Sequence, residues 1–169
     1  MKKLFAIAIL GSVILVSCKK SSGGAAPLQA IINGTVTNFG TEAVGATSSS
    51  NGLYMISIEG VTGAASTSGG LSVVIQSASP IVAGTYTDTT ALNNNFAELQ
   101  YVPSVSGSSV FGSAELKSHP TTVVVTSVSS TQITGTFQGN VYTDAGQDTT
   151  GTPTTITNGT FSVKLTATP

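Results

Sequence analysis

The chain has no tryptophan, one cysteine (Cys18), one histidine (His119), and no arginine among its six basic residues. Each scarcity narrows what it can do. A lone cysteine excludes an internal disulfide framework. A zinc site draws about three or four ligands from His, Cys and carboxylates, a set that one histidine and one cysteine do not assemble. Charged residues make up only 8% of the sequence, against about 25% in ordinary soluble domains. With so few cations there is no basic stripe to hold a nucleic acid. The surface must be wetted by Thr, Ser, Asn and Gln, as in β-proteins where threonine serves both the strand and the solvent.

What is present begins with an apolar run. Met1-Lys2-Lys3 is followed by uncharged residues from Leu4 to Val16, then Ser17, Cys18 and Lys19-Lys20. Two lysines ahead of about 13 apolar residues have the form of a secretory signal and fall short of the ~20 that span a bilayer. Leu15-Val16-Ser17-Cys18 resembles the lipobox of bacterial lipoproteins. That resemblance implies cleavage before Cys18 and attachment of a diacylglyceryl group to its sulfur. Buried acyl methylenes contribute about 0.8 kcal/mol each, so two or more chains anchor stably where one does not. The expected organisation is a signal over residues 1–17, a Ser/Gly-rich flexible tether over 18–27, and one domain over 28–169. After Cys18 four lysines stand against seven acids, a formal charge of −3.

No segment beyond residue 27 carries a helical period; short alternating runs are separated by turn residues. Asn33-Gly34 between β-formers is a strong hairpin signal. Tyr54, Ile56 and Ile58 alternate, as do Leu71, Val73 and Ile75, with a polar hairpin loop expected over 62–70. The polar stretch Gly45 to Gly52 reads as a loop. Ala83 to Thr87 reads as a strand, and Ala97, Leu99 and Tyr101 alternate against Glu98 and Gln100 in another with one wet face. Val110 to Lys117 is weakly patterned. Thr121 to Val128 is dense in β-branched residues, and Ile133, Gly135, Phe137, Gly139 and Val141 share one face. Thr154 to Ile156 and Phe161 to Leu165 flank a second Asn-Gly, across which the apolar parity changes, as at a tight turn or a bulge. Gly112 and Gly135 inside such runs mark bulges or close strand crossings.

About eight to ten short strands joined by turns predict an all-β antiparallel sandwich, with a closed lipocalin-like barrel as the alternative. The lipobox, the Gly/Ser tether, the early Asn-Gly hairpin, Gly84-Thr85-Tyr86, Ile133 to Phe137 and Ile156 to Val163 together resemble small lipoproteins of Bacteroidota-type bacteria that carry a β-rich domain of unknown function. The resemblance covers most of the chain after Cys18 and implies fold and location, with no catalytic residue. Phe39 stands where such chains carry an aromatic near the first hairpin.

Few constellations suggest chemistry. His119 precedes Pro120 and lacks a Gly-x-Ser-x-Gly nucleophile context, so it reads as an exposed loop residue. Glu42, Glu59, Glu98 and Glu115 lie on separate segments with no pairing to support glycoside hydrolysis. Asp144-Ala145-Gly146-Gln147-Asp148 has part of a calcium loop but no Glu to close it, and Asx-turn chemistry explains its acids equally well. Asp88-Thr89-Thr90 and Asp148-Thr149-Thr150 resemble an O-glycan acceptor motif of the same bacterial group, which implies Thr89 and Thr149 as sites. Asn33-Gly34-Thr35 and Asn158-Gly159-Thr160 match the N-glycan sequon but read as turns. The expectation is a non-enzymatic protein without metal or cofactor, held to the membrane by lipid, facing the periplasm from the outer membrane, and presenting its surface to a protein or glycan. The alternative is a small-molecule or glycan binder using a barrel interior or a groove of Tyr54, Tyr86, Tyr101 and Tyr142.

Overall fold

The computed structural model describes residues 26–40, 43–50, 52–63, 68–88, 95–104, 107, 109–113, 120–143, 146 and 148–167. Their eleven strands are β1 (Leu28–Ile32), β2 (Thr35–Asn38), β3 (Val44–Ser50), β4 (Leu53–Val61), β5 (Gly70–Ser77), β6 (Gly84–Thr87), β7 (Phe96–Val102), β8 (Phe111–Ser113), β9 (Thr122–Val128), β10 (Gln132–Tyr142) and β11 (Thr154–Ala167). The chain is all-β, and its strands form one mixed sheet in the order β2-β1-β11-β3-β4-β5-β7-β6-β9-β10-β8. Because β10 also pairs with β11, the pairings run round a closed circuit.

Most ladders are antiparallel and long. β4 pairs β5 from Tyr54↔Ser77 to Val61↔Gly70, and β5 pairs β7 from Gly70↔Val102 to Gln76↔Phe96. The expectation of a purely antiparallel arrangement is corrected at three places. β11 meets β3 in parallel over Leu165↔Gly45 to Ala167↔Thr47, β6 meets β7 in parallel at Thr87↔Phe96 alone, and Gly40 forms an isolated parallel bridge with Val61.

The first Asn-Gly folds as its sequence dictates. Asn33 and Gly34 both have positive φ, 48° and 83°, and Ile32 pairs with Thr35 across them. That is a two-residue type I′ hairpin, whose twist matches the strands it joins. The second Asn-Gly makes no turn. Residues 154–167 form one continuous strand, and Asn158 (φ 49°) sits in a bulge within it. On one side the register passes from Phe137↔Gly159 to Gly139↔Ile156, and on the other from Gln29↔Thr160 to Ile31↔Thr157. β11 therefore carries one residue more than both of its neighbours, which moves Phe161 onto the inward face shared with Ile156. A bulge preserves the hydrophobic face across the parity change without ending the ladder.

The stretch expected as a loop over 45–52 is corrected: Val44–Ser50 is β3 and pairs residue by residue with β4, Val44↔Glu59 through Ser50↔Leu53. In the weakly patterned 110–117 region the described residues include β8, wedged between Tyr101↔Phe111 on β7 and Tyr142↔Gly112 on β10. Gly135 lies at a second bulge, between Thr134↔Ser127 and Gly135↔Val125.

Inward side chains from both halves of the circuit fill one hydrophobic cluster. Leu28, Phe39, Ile58, Val73, Leu99, Val123, Ile133, Val141 and Ile156 are fully excluded from solvent in it. Tyr86 is buried too, and its hydroxyl turns back on its own chain. It donates to Val82 O at 2.9 Å and accepts from Val82 N at 3.1 Å. Asp88 is buried at the end of β6, where the Thr121 N–H donates to its Oδ1 at 3.0 Å and so ties the entry of β9 to the exit of β6.

Candidate functional site

The outer face of β9, β10 and β11 holds a groove of about 410 Å³. It is built from the pleat. In a strand alternate residues face outward, so the inward set Val123, Val125, Ile133 and Phe137 leaves Thr122, Val124, Thr136 and Gln138 outside. Cross-strand register then lines them up: Thr122 faces Gln138, Val124 faces Thr136, and Thr136 faces Thr160. The bulge supplies the groove's end. Asn158 stands exposed there, and Gly159 lies flat against the Phe137 ring, where a Cβ would come within 2.5 Å of Cδ2 and Cε2.

The groove is uncharged. β9 and β10 contain no ionisable side chain apart from Tyr142, which is buried. Its polar side chains are also uncommitted: Thr122, Thr136, Gln138, Asn158 and Thr160 make no side-chain hydrogen bond to any described residue. One row away the outer face satisfies itself. The Ser127 and Thr134 hydroxyls bond at 2.7 Å, and Gln132 Nε2 donates to Ser162 Oγ at 3.3 Å.

The residues singled out by sequence fall elsewhere or apart. Cys18, Thr89, His119, Glu42, Glu115 and Asp144 lie outside the described residues. Thr149 is exposed. Beside it Asp148 Oδ1 accepts from the Thr150 hydroxyl at 2.6 Å and from the Thr150 N–H at 3.0 Å. Those bonds, the hydroxyl first, hold the Asp148 carboxyl below its ordinary range. This is an Asx turn, the explanation that competed with calcium. Among the described residues no three His, Cys, Asp or Glu gather where a metal ion could be held.

Glu59 and Glu98 share the outer face of β4, β5 and β7, each bonded within its own strand. Ser57 Oγ donates to Glu59 Oε1 at 3.0 Å, and Gln100 Nε2 donates to Glu98 Oε1 at 2.8 Å. The four tyrosines do not line one groove. Tyr86 and Tyr142 are buried, and Tyr101 packs edge-on against Phe39 with ring centroids 6.3 Å apart. Partial burial pushes the Tyr101 hydroxyl above its ordinary value. Tyr54 is exposed near the start of β4.

None of the groove residues was singled out in the sequence as part of a binding groove. Asn158-Gly159 was visible as a turn signal, but which neighbours it would meet depended on the pairing of β11 with β10. Comparison with protein-family models, with curated proteins and with solved structures found no match.

Proposed function

We propose that this is a lipid-anchored protein of the bacterial cell envelope, tethered through Cys18, that acts by interaction and not by catalysis. The observation that carries the reading is Leu15-Val16-Ser17-Cys18 at the end of a signal-like apolar run. The junction with the domain agrees with it. Pro27 O accepts from the Ser162 N–H at 2.8 Å, so the chain is fastened to β11 where the Ser/Gly-rich tether ends. The similarity to β-rich lipoproteins of Bacteroidota-type bacteria favours the outer membrane, with the domain facing the periplasm.

Within the mixed sheet we read a two-layer sandwich. β3, β4, β5 and β7 make one antiparallel layer, and β2, β1, β11, β10, β9 and β6 the other. Among the described residues the layers join through the short parallel contacts at β11–β3 and β6–β7, through the parallel bridge Gly40↔Val61 and through β8. The Tyr86 hydroxyl bonded four residues upstream is the geometry of the tyrosine corner found in such folds. An interior filled by one hydrophobic cluster disfavours carriage of a ligand inside a barrel.

Fractionation of cells expressing Cys18→Ala tests the anchor. The variant is expected in the soluble fraction with the wild type in the membrane; membrane retention of the variant overturns the reading. The same preparation tests Thr149: O-glycosylation adds hexose-sized increments to the intact mass, and a mass of polypeptide plus lipid alone removes it.

A further inference from the structure

The outer groove combines four properties: hydroxyl and amide side chains, no charge, an apolar patch, and a distorted strand. Thr122, Thr136 and Thr160 offer hydroxyls, and Gln138 and Asn158 offer carboxamides, all of which both donate and accept. Val124 is 38% exposed among them. The bulge that keeps Phe161 inward closes no hairpin, because β11 runs on past it, and it also sets the groove's end. Asn158 holds a positive φ there, and backbone of that kind clusters at binding sites. Here it aims the one exposed carboxamide of β11 at the groove's end.

We propose that this groove binds a neutral hexose chain. Sugar hydroxyls are donors and acceptors at once and match an array of Thr, Gln and Asn. Val124 gives the C–H face of a pyranose ring an apolar rest. An ionic ligand would shed water here with no countercharge to replace it, so neutrality is part of the assignment. The volume, about 410 Å³, lies within the ~300–1,000 Å³ of small-molecule sites. The satisfied row beside it, Ser127 with Thr134 and Gln132 with Ser162, shows that this face can pair its own polar groups and does not do so in the groove. The inference rests on reading the domain as an interaction module, but not on the anchor at Cys18.

The test is an amide chemical-shift titration of the full ¹⁵N-labelled chain in phosphocholine micelles, which avoid sugar-based detergent. The probes are maltotriose, cellotriose and mannotriose, with tri-galacturonate as the charged control. At least one neutral trisaccharide is expected to give saturable shifts confined to residues 122–124, 136–138 and 158–160, with a Kd on the order of 1 mM. Asn158→Gly, which keeps the positive φ, and Thr136→Val are each expected to weaken binding about fivefold, the equivalent of one hydrogen bond. Unchanged dispersion of the remaining amides confirms that both variants fold. The inference is overturned if no neutral trisaccharide shifts these residues at about 50 mM, well above such a Kd. It is equally overturned if tri-galacturonate binds as tightly, or if both variants bind like the wild type. Because membrane attachment plays no part in the readout, failure here leaves the anchor reading standing, and failure of the anchor leaves this result intact.

Discussion

At Gly135, Gly34 and Gly84, substitution by alanine meets three different physical situations. A Cβ on Gly135 would fall inside the contact shells of the Val124 carbonyl oxygen and the Phe161 ring, so backbone and core must both move. Overpacking of that kind costs about 1–3 kcal/mol or more. Gly34 has open space around it but φ of 83°, so alanine there is strained by about 1–2 kcal/mol without any clash. Gly84 has open space and no such φ, and alanine should be neutral or stabilise by up to about 1 kcal/mol by restricting the unfolded chain. Urea midpoints should therefore fall most in Gly135→Ala, less in Gly34→Ala and not at all in Gly84→Ala. The sequence marked Gly135 as a bulge or crossing, and it lies at a bulge in the β9–β10 ladder. It could not reveal that Phe161, 26 residues on, is the ring in the way.

Asp148 makes a second case of local chemistry. Its carboxyl is held low by the Thr150 hydroxyl first and the Thr150 amide second. A depressed folded-state value means that the interaction is intact above the unfolded value and is lost as pH falls through the folded one. A ¹³C carboxyl titration should give a midpoint below the reference 3.8. Thr150→Val, which leaves only the amide bond, should move that midpoint up part of the way; an unchanged midpoint would show that the hydroxyl contributes nothing.

Among the elements, those with strict alternation were legible and those without it were not. β5, β7 and β10 carry their inward residues where the period of two places them, and the β1–β2 hairpin follows from Asn33-Gly34 alone. β3 failed because Gly-Ala-Thr-Ser-Ser-Ser has no hydrophobic face. It is a strand because β4 pairs along its whole length and β11 along part of it, so tertiary pairing overrides local preference. Whether residues 154–165 make two strands or one bulged strand stayed open, because an Asn-Gly that closes a hairpin at 33–34 is indistinguishable in sequence from one that bulges a continuous strand at 158–159. The candidate groove was hidden for the same reason, since its residues come from three strands whose register is not written in any one of them. β6 illustrates what an element gains from one polar atom. Tyr86→Phe removes both bonds to Val82, but Val82 is 60% exposed and its backbone can turn to water. The expected cost is therefore only about 1 kcal/mol, read as a lower urea midpoint with an unchanged slope.

For the molecule as a whole, the two-layer reading and a continuous closed barrel share every pairing and differ in how evenly those pairings hold. The β4–β5 ladder has eight paired positions, the β11–β3 joint three, and the β6–β7 joint one. The single joint between β6 and β7 is carried by the Thr87 N–H on Asn95 O at 2.9 Å, and the other is reinforced by the Thr166 hydroxyl on Gly45 O at 3.1 Å. Local opening follows the number of cooperating bonds and the apolar surface buried around them, and ranges from about zero free energy to that of global unfolding. If two layers meet over a common core, the joints should open without the layers. Native-state hydrogen exchange should then find Thr87 and the β3 amides directed at β11 exchanging by local opening. Amides within β4, β5 and the middle of β10 should exchange only through global unfolding. Of these two joints β6–β7 should be the weaker, having one paired position against three. Protection that is uniform around the circuit would instead make the sheet a barrel with no corners, and the division into layers would fall.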